Sequence, residues 1–472
     1  MLLRLLKAIL EKRLSFTQAN KILMVLCMAS FLVPFMGSSI TLALPEISKT
    51  FSFKAVTLTW ISTSYLITSA IFQVPFARLA DLIGRKKVFE WGIFIYFLST
   101  FFSGFAPTGL IMIGLRIIAG LGSAMIFGTN MAILTSCFSP EKRGKALGIN
   151  SAVVYLSLAA GPFLGGLMTH YWGWQSIFFI CGAIGLVVVV LSRIFLRVEW
   201  IESKGEKFDY IGSIIYALGI FSLIFGFTEL PKIDGFIWIF TGIVSFSVFV
   251  FYEKNHTAPV FNIRLFSGNR IFVFSSLAAL INYASTAAVT FMLSLYLQYL
   301  KGFDARHAGF VLISQACLQS FFSLVSGKLS KKIAPSNLAT LGMVFSFAGL
   351  LGLCFIHAQT PLYFLIILLL ILGIGFGIFA SPNTNVIMGS VDKKFYGQAS
   401  ATTGTVRLTG QALSMGIAGM AIALQVGNHP IESSIYPQFL QSMHITFMVF
   451  AALSLVGIYA SWNGWALSKA QP

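Results

Sequence analysis

One acidic side chain lies in an otherwise basic segment between two apolar stretches. Residues 77–87 read ARLADLIGRKK, with Asp81 three residues before Gly84 and the bases Arg85 and Lys86 directly after it. A carboxylate beside such a turn can cap a helix N-terminus or pair with a base across the two halves of the chain. A solvated basic turn is the alternative, but it gives no reason for an acid among the bases. We therefore expect Asp81 to have one of these two specific roles.

Two arginines lie within apolar stretches. Arg116 lies a turn or two inside its stretch, where an isolated charge costs at least about 2.5 kcal/mol in hydrocarbon. Such a residue normally faces a cavity or a partner, and Arg116 is deeper than the positions from which long side chains reach the interface. Arg407 lies nearer the start of its stretch, so reaching the interface and pairing with Asp81 are both open.

Gly161, Pro162, Gly165 and Gly166 lie together in another apolar stretch. Proline removes one helical hydrogen bond and kinks a helix, whereas glycine lets a neighbouring helix approach closely. Both residue types are common in membrane helices, so these four residues predict at least a bent and closely packed helix.

The acidic residues argue against a site for lipophilic cations. None of the fifteen falls in the middle of an apolar stretch, although Glu46 and Glu229 lie near outer ends and Glu90 near an inner end. A site for such cations usually needs a central carboxylate. Polar neutral and aromatic side chains remain to line a cavity, which favours neutral or weakly anionic lipophilic compounds.

For each of these cavity candidates alone, an ordinary hydrogen bond between helices is at least as good an explanation. They are Tyr65, Gln73, Asn130, Tyr155, Asn282, Tyr283, Gln298 and Asn383.

The elements that must position these residues are membrane-spanning helices. Of the 472 residues, 57% are hydrophobic and only 10% charged, with a mean hydropathy of +0.85. That is more apolar surface than an interior can bury, so the surface must face lipid. We predict spans near 22–44, 56–76, 88–104, 109–130, 146–168, 174–196, 211–229, 236–252, 271–293, 307–329, 337–356, 361–382, 401–425 and 443–465.

The net charge of +17 comes from basic residues whose positions along the chain predict the membrane topology. Most lysines and arginines fall in alternate loops, which predicts that both termini are cytoplasmic. The basic balance therefore gives no support to a nucleic-acid partner. The opposite loops hold only Lys49, Lys54, Lys232, Lys301 and Arg306.

Other classes lack their signatures. The sequence contains no G-x-x-x-x-G-K-[ST] loop of an ATP-driven pump, no H-E-x-x-H or G-x-S-x-G of an enzyme, and no repeated selectivity segment of a channel. The five cysteines form no C-x-x-C pair and are interpreted as small apolar residues. We expect no catalytic residue, no cofactor and no metal site.

The loops at 77–87 and 327–333 share a pattern of a small residue, a base, Leu, a small residue and a basic cluster. Such internal repeats are typical of secondary transporters. At these motifs the sequence resembles the major facilitator superfamily, specifically its fourteen-span drug:proton antiporter branch.

The family's first-loop motif, G-x-L-A-D-R-x-G-R-K, matches except at Ala77 and Leu82. Its R-x-x-Q-G motif is similar from Arg116, with Ala119 for the Gln. Its G-P-x-x-G-G motif matches at 161–166. In the first span, however, Met36 stands where the branch has its membrane Asp, so the resemblance does not imply specificity for cationic drugs, and Met36 becomes a cavity candidate.

The resemblance implies an all-α fold of two six-helix bundles with pseudo-twofold symmetry and two additional central helices. It divides the chain into an amphipathic N-terminal segment, an N-terminal bundle, a linker with the two additional helices, and a C-terminal bundle. These are residues 1–20, 21–197, 198–270 and 271–472.

The resemblance also implies residue roles. The expected hinge is Gly161, Pro162, Gly165 and Gly166. The expected gating and coupling residues are Asp81, Gly84, Arg85, Lys86, Glu90, Arg116 and Arg407.

The implied function is export of lipophilic small molecules by proton-coupled antiport through alternating access. Asp81, Glu90 or an acid at a span end would carry the proton. Uncoupled transport, transport of lipids or anionic metabolites, and a non-transporting receptor of the same fold are the alternatives. The expected partners are a small-molecule lipophilic substrate, protons and membrane lipids, for a monomer that crosses the cell membrane several times.

Overall fold

The structure is a computed structural model. It describes residues 2–138, 140–203, 205–230, 232–256, 259–260, 266, 268–330, 332–391, 396–427 and 429–469, and it describes no side chains at 2–17, 140–145, 396–398, 400–401 and 464–469.

The described residues form α-helices and contain no β-strand, which confirms the prediction of an all-α protein. A π-helical turn at Tyr296–Leu300 extends α10, and a 3₁₀ turn at Ser433–Ile435 precedes α15. The helices are α1 Leu2–Phe51, α2 Ala55–Ile83, α3 Arg85–Ser103, α4 Gly109–Cys137, α5 Pro140–Trp172, α6 Gln175–Phe195, α7 Tyr210–Glu229, α8 Ile233–Asn255, α9 Arg270–Thr286, α10 Val289–Leu295, α11 Ala305–Leu329, α12 Pro335–Leu353, α13 Leu362–Gly389, α14 Tyr396–Gln425 and α15 Tyr436–Lys469.

Helix is the expected state of these apolar runs, because lipid offers no partner for a free backbone amide or carbonyl. Several helices begin at a side chain that accepts a hydrogen bond from their first turn. Asp209 accepts one from the amide of Gly212 at 2.8 Å, and Asp304 one from the amide of His307 at 2.8 Å. These caps fix where α7 and α11 start.

Every predicted span coincides with a helix or, for the ninth, with α9 and α10 in succession. In the described part of the chain, thirteen helical segments are long and apolar enough to cross a membrane. Helix α3 is not among them, because its first turns contain Lys86, Lys87 and Glu90. Helix α1 joins residues 2–20 to the first span in one continuous helix.

Helices α1 to α6 pack on one another, and so do α9 to α15. The two groups meet where α1 contacts α10, where α5 contacts α11, and where α2 contacts α14. Helices α7 and α8 pack together, and α7 also lies against both α2 and α14. The largest apolar core runs along α1, α4 and α6 and continues through α10 into α12 and α15. We call the face with the helix ends Leu2 and Lys469 the terminal face, and the other the opposite face.

Candidate functional site

The structure pairs Asp81 within the turn between α2 and α3, and not with a base across the two halves of the chain. Gly84 adopts a φ of +119°, which ends α2 and lets α3 begin at Arg85. The guanidinium Nε of Arg85 donates to Asp81 Oδ1 at 2.7 Å, and its Nη1 donates to Ser136 Oγ at 2.9 Å. Asp81 therefore pairs with the nearest base of its own turn, and Arg407 lies elsewhere.

Sequence reasoning missed the partners that the linker at residues 197–209 brings to this turn. Glu199 accepts a hydrogen bond from the backbone amide of Lys86 at 2.8 Å, and Glu202 accepts one from Arg85 Nη1 at 3.1 Å. Glu206 accepts one from Arg78. Charge pairing of the linker with the turn could have been predicted from the three acids of the linker, Glu199, Glu202 and Glu206, because the turn is basic.

Backbone bonds fix the same contact. The amides of Glu202 and Ser203 both donate to the carbonyl of Asp81, at 3.1 and 3.0 Å. A side chain at Gly84 would meet the carboxyl group of Glu199 at 2.4–2.8 Å and displace it from the amide of Lys86, and the φ of +119° favours glycine at this position. The linker therefore packs against the turn at the terminal face.

Glu90 lies one helical turn further along α3. Its carboxylate is 3.9 Å from the Lys86 ammonium, and its side chain is about one fifth exposed. It lies within the first group of helices and close to the terminal face.

Arg116 is buried inside the first group of helices, with 1% of its surface exposed. Its Nε donates to the carbonyl of Ile61 at 3.2 Å, and its guanidinium lies 4.5 Å from the ring centre of Tyr65. Its Nη1 has no hydrogen-bond partner among the described residues. This arginine therefore carries a buried charge against an aromatic face, without a described carboxylate.

Arg407 lies where the two groups of helices meet, and it is half-buried. Its guanidinium is 5.0 Å from the ring centre of Phe127 on α4. It also lies within electrostatic range of three tyrosines, Tyr65, Tyr155 and Tyr283, which come from α2, α5 and α9. We call these four residues the arginine–tyrosine centre.

Aromatic rings surround this centre. Tyr283 makes an edge-to-face contact with Phe376 of α13, with ring centres 5.5 Å apart. Tyr65 donates its hydroxyl to Ser123 Oγ at 2.7 Å. Phe127 and Phe376 were not predicted, because forty-seven phenylalanines in one chain give no signal for any one of them.

The other cavity candidates lie elsewhere, and several bond neighbouring helices. Asn130 donates to the carbonyl of Leu26 at 3.0 Å, and Asn383 donates to that of Ser275 at 3.1 Å. Gln298 donates to the carbonyl of Leu42 at 3.2 Å.

Three candidates are buried and make no such bond to another described residue. Met36 is fully buried in the largest apolar core. Gln73 lies against Gly404 of α14. Asn282 is fully buried, and neither atom of its amide has a hydrogen-bond partner in the described part of the chain.

The glycines predicted as a hinge hold α5 against its neighbours. A side chain at Gly165 would meet Ser39 of α1 at 2.7 Å, and one at Gly166 would meet the carbonyl of Ala305 at 2.4 Å. Gly161 lies similarly close to Ser38. Pro162 is within the helix, and its carbonyl lies 2.6 Å from where a side chain at Gly309 of α11 would begin.

Polar bonds close the same region on the opposite face. Ser294 donates to the carbonyl of Thr41 at 2.9 Å, next to the bond from Gln298. His170 of α5 lies 3.3 Å from Asp304, which caps α11. These contacts join the two groups of helices beside an outer cavity of about 450 Å³.

Asp304 is held ionised in this contact. Partial burial would raise the pKa of its carboxyl group, but the bonds from the amide and ring of His307 and the nearby His170 outweigh that effect, and the pKa is lowered from 3.8. The carboxylate therefore stays charged at neutral pH. The sequence offered no signal for its pairing with His170, which is more than a hundred residues away.

Comparisons with known proteins agree with this architecture. A family model described as Major Facilitator Superfamily matches residues 26–415. The riboflavin transporter RibZ of Clostridioides difficile (strain 630) is 28% identical over 386 residues, 82% of this chain and 84% of that protein. The multidrug resistance protein Stp of Mycobacterium tuberculosis (strain CDC 1551 / Oshkosh) is 25% identical over 81% of this chain and 72% of its own length.

A solved structure has a similar fold. It is a bacterial homologue of the human lysosomal transporter Spinster, in an inward-facing and unoccupied conformation, with a TM-score of 0.70 over 95% of this chain and 97% of that chain. Its sequence identity of 15% makes this a likeness of fold alone.

Proposed function

Because the chain belongs to the Major Facilitator Superfamily, we propose that it is a secondary active transporter that exports lipophilic small molecules in exchange for protons. The names of its relatives support transport, since they include a riboflavin transporter, multidrug resistance proteins and a tetracenomycin C resistance and export protein. No enzymatic activity belongs to this proposal.

The proposed architecture is that of the fourteen-span branch. Helices α1 to α6 form one six-helix bundle, α9 to α15 form the other, and α7 and α8 are the additional pair. The proposed divisions of the chain fall at residues 20, 197 and 270. We place both termini in the cytoplasm of a monomer in the cell membrane, because the basic residues concentrate on the terminal face.

One observation carries the transport mechanism. At the arginine–tyrosine centre, Arg407 of α14 lies over the ring of Phe127 on α4, so side chains from both bundles lie together. Above the centre, the close backbone approach of α5 to α11 and the hydrogen bond from Ser294 of α10 to α1 close the opposite face. A site between two bundles that is closed on one face is the arrangement that alternating access requires. The bundles would rock about this centre to open the opposite face.

Proton coupling is assigned to the terminal face. Asp81 and Arg85 form an ion pair with an oxygen–nitrogen distance of 2.7 Å, and Glu90 lies in the same region. Protonation of Asp81 would release Arg85 and loosen the contact between the turn and the linker. We propose that this event accompanies the change between inward-open and outward-open states.

The test uses inverted membrane vesicles that contain the protein and a proton gradient. Cationic, neutral and anionic lipophilic compounds are added in turn, and collapse of the gradient is followed. We expect at least one compound to collapse it with the wild-type chain. Asp81→Asn should abolish this response without lowering the amount of inserted protein.

Asp234→Asn is the matched control, because Asp234 is an exposed acid in the first turn of α8 on the opposite face. It should respond like the wild-type chain. A wild-type response in Asp81→Asn would overturn the coupling role. Transport of labelled compounds without any proton movement would instead favour uncoupled transport. If neither compound transport nor proton movement is detected, the transporter proposal is contradicted.

A further inference from the structure

We infer that Arg407 binds an anionic group of the substrate, so that the transported compounds are planar aromatic anions such as carboxylates. This inference rests on the proposed transport function and names the substrate class of the same site. It follows from the charge, the hydrogen-bond donors and the aromatic surfaces at the arginine–tyrosine centre.

The charge at the centre lacks a counterpart in the protein. None of the ion pairs in the described part of the chain includes Arg407 or Arg116. At about 1.5 Å per residue, Arg407 lies roughly 9 Å inside the predicted span 401–425, within a hydrocarbon core of about 30 Å. A guanidinium at this depth costs free energy unless a counter-charge or water accompanies it. A neutral substrate would leave that charge uncompensated when the site closes.

The position of Arg407 allows a ligand to reach it. Arg407, Tyr155 and Tyr283 are all partly exposed, whereas Arg116 is buried behind Tyr65. A ligand at the interface of the bundles would therefore meet Arg407 directly. Arg116 would add positive potential from the far side of the Tyr65 ring without touching the ligand.

The neighbouring groups define the rest of the ligand. Guanidinium donors match the two oxygens of a carboxylate, and the hydroxyl of the partly exposed Tyr283 is a further donor. The rings of Phe127 and Phe376 supply flat apolar surfaces from α4 and α13. A planar aromatic ring with one anionic substituent would pack against these two rings and accept hydrogen bonds from the donors.

The experiment compares three compounds that share one aromatic ring system: naphthalene-2-carboxylate, naphthalene-2-carboxamide and 2-naphthylmethylamine. At neutral pH they are anionic, neutral and cationic. Uptake of each into inverted vesicles is measured with and without a proton gradient. Binding of each to the purified protein is measured separately, since binding does not depend on transport.

The variants are Arg407→Gln, which removes the charge, and Arg407→Lys, which keeps it without the forked donors. Arg197→Gln is the matched control, because Arg197 is exposed and its described hydrogen bond is a local one to Ile194. Thermal unfolding of each purified variant verifies that it is folded.

We expect the wild-type chain to prefer the carboxylate over the amide and the amine. Arg407→Gln should weaken carboxylate binding about ten- to hundredfold, the range for loss of a charge-assisted hydrogen bond, and leave amide binding within about twofold. The carboxylate affinity of Arg407→Lys should lie between those of the wild-type chain and Arg407→Gln. The affinity of Arg197→Gln should equal that of the wild-type chain.

Equal binding of the three compounds, or unchanged carboxylate binding in Arg407→Gln, would overturn the inference. If the amide or amine is transported and the carboxylate is not, the substrate class is wrong and the transport function stands. If no compound is transported but carboxylate binding depends on Arg407, the site stands and the transport function fails.

Discussion

Arg116 and Arg407 represent two ways of holding a charge within membrane helices. Arg407 is partly exposed at the interface of the bundles, where a ligand or water can reach it. Arg116 is fully enclosed and interacts with the Tyr65 ring and one backbone carbonyl. An aromatic face and a carbonyl offset only part of the cost of burying a guanidinium. Arg116 is therefore retained at a cost in stability.

This argument predicts the effect of Arg116→Gln on stability. Breaking a buried ion pair costs about 3–5 kcal/mol, because it leaves one charge alone. Arg116 has no such partner among the described residues, so its removal should leave the unfolding temperature in detergent unchanged or raise it. Thermal unfolding of the purified variant measures this. A fall of many degrees would mean that a carboxylate neutralises Arg116.

Among the elements, the linker at residues 197–209 matters most for the Asp81 turn, because it binds the turn directly. A loop of this composition would be expected to lie in solvent, yet its carboxylates and backbone amides bond the turn at several points. Single exposed ion pairs contribute little, about 0–1 kcal/mol each. The backbone bonds and the close approach at Gly84 are what make the docking specific.

We predict that Gly84→Ala releases the linker. The new methyl group would lie 2.4 Å from the Glu199 carboxyl carbon, in addition to the strain of a φ of +119°. Tryptic cleavage after Lys207, which is exposed in the linker, should become several times faster in detergent.

Gly302→Ala is the control for the strain alone. Gly302 also has a positive φ, +69°, but nothing lies within 4 Å of the added carbon. Cleavage in this variant should match the wild-type rate. Equal acceleration in both variants would show that backbone strain, and not the contact with Glu199, loosens the linker.

At the scale of the molecule, the closed opposite face depends on backbones that touch across the two bundles. Gly166 meets Ala305, and Gly309 meets Pro162, so α5 and α11 approach more closely than side chains would allow. Such a contact can be broken and remade as a unit, because it depends on shape and involves few specific bonds. The closed state should therefore be sensitive to any added volume there.

We predict that Gly166→Val opens the opposite face. A cysteine introduced at Tyr155, in the arginine–tyrosine centre beneath the closed face, should then react faster with a membrane-impermeant maleimide added on the opposite face, by about tenfold or more if the closed state loses about 1.4 kcal/mol. Gly148→Val is the matched control on the same helix, since nothing lies within 4 Å of its added carbon. An unchanged reaction rate in Gly166→Val would mean that this contact does not hold the face closed.

The membrane character and the positions of the helices follow from the amino-acid sequence alone. Apolar runs of about 20 residues must become helices in lipid, and no interaction between distant residues is needed to decide that. The absence of acids from the middle of the predicted spans was equally readable from the sequence. The α3 boundary shows the limit of this reasoning, because its charged first turns continue the helix beyond the apolar run.

Which distant residues contact one another depends on how the helices pack and could not be predicted. The acids at 199–206 bind a turn that precedes them by more than a hundred residues, and Asp304 pairs with His170 across the two bundles. Arg407 of α14 lies over the ring of Phe127 on α4, and Tyr283 of α9 contacts Phe376 of α13. The periodicity of a sequence segment does not predict contacts between distant residues. Many charged or aromatic residues could pair with one another, and the packing of the helices selects which pairs form.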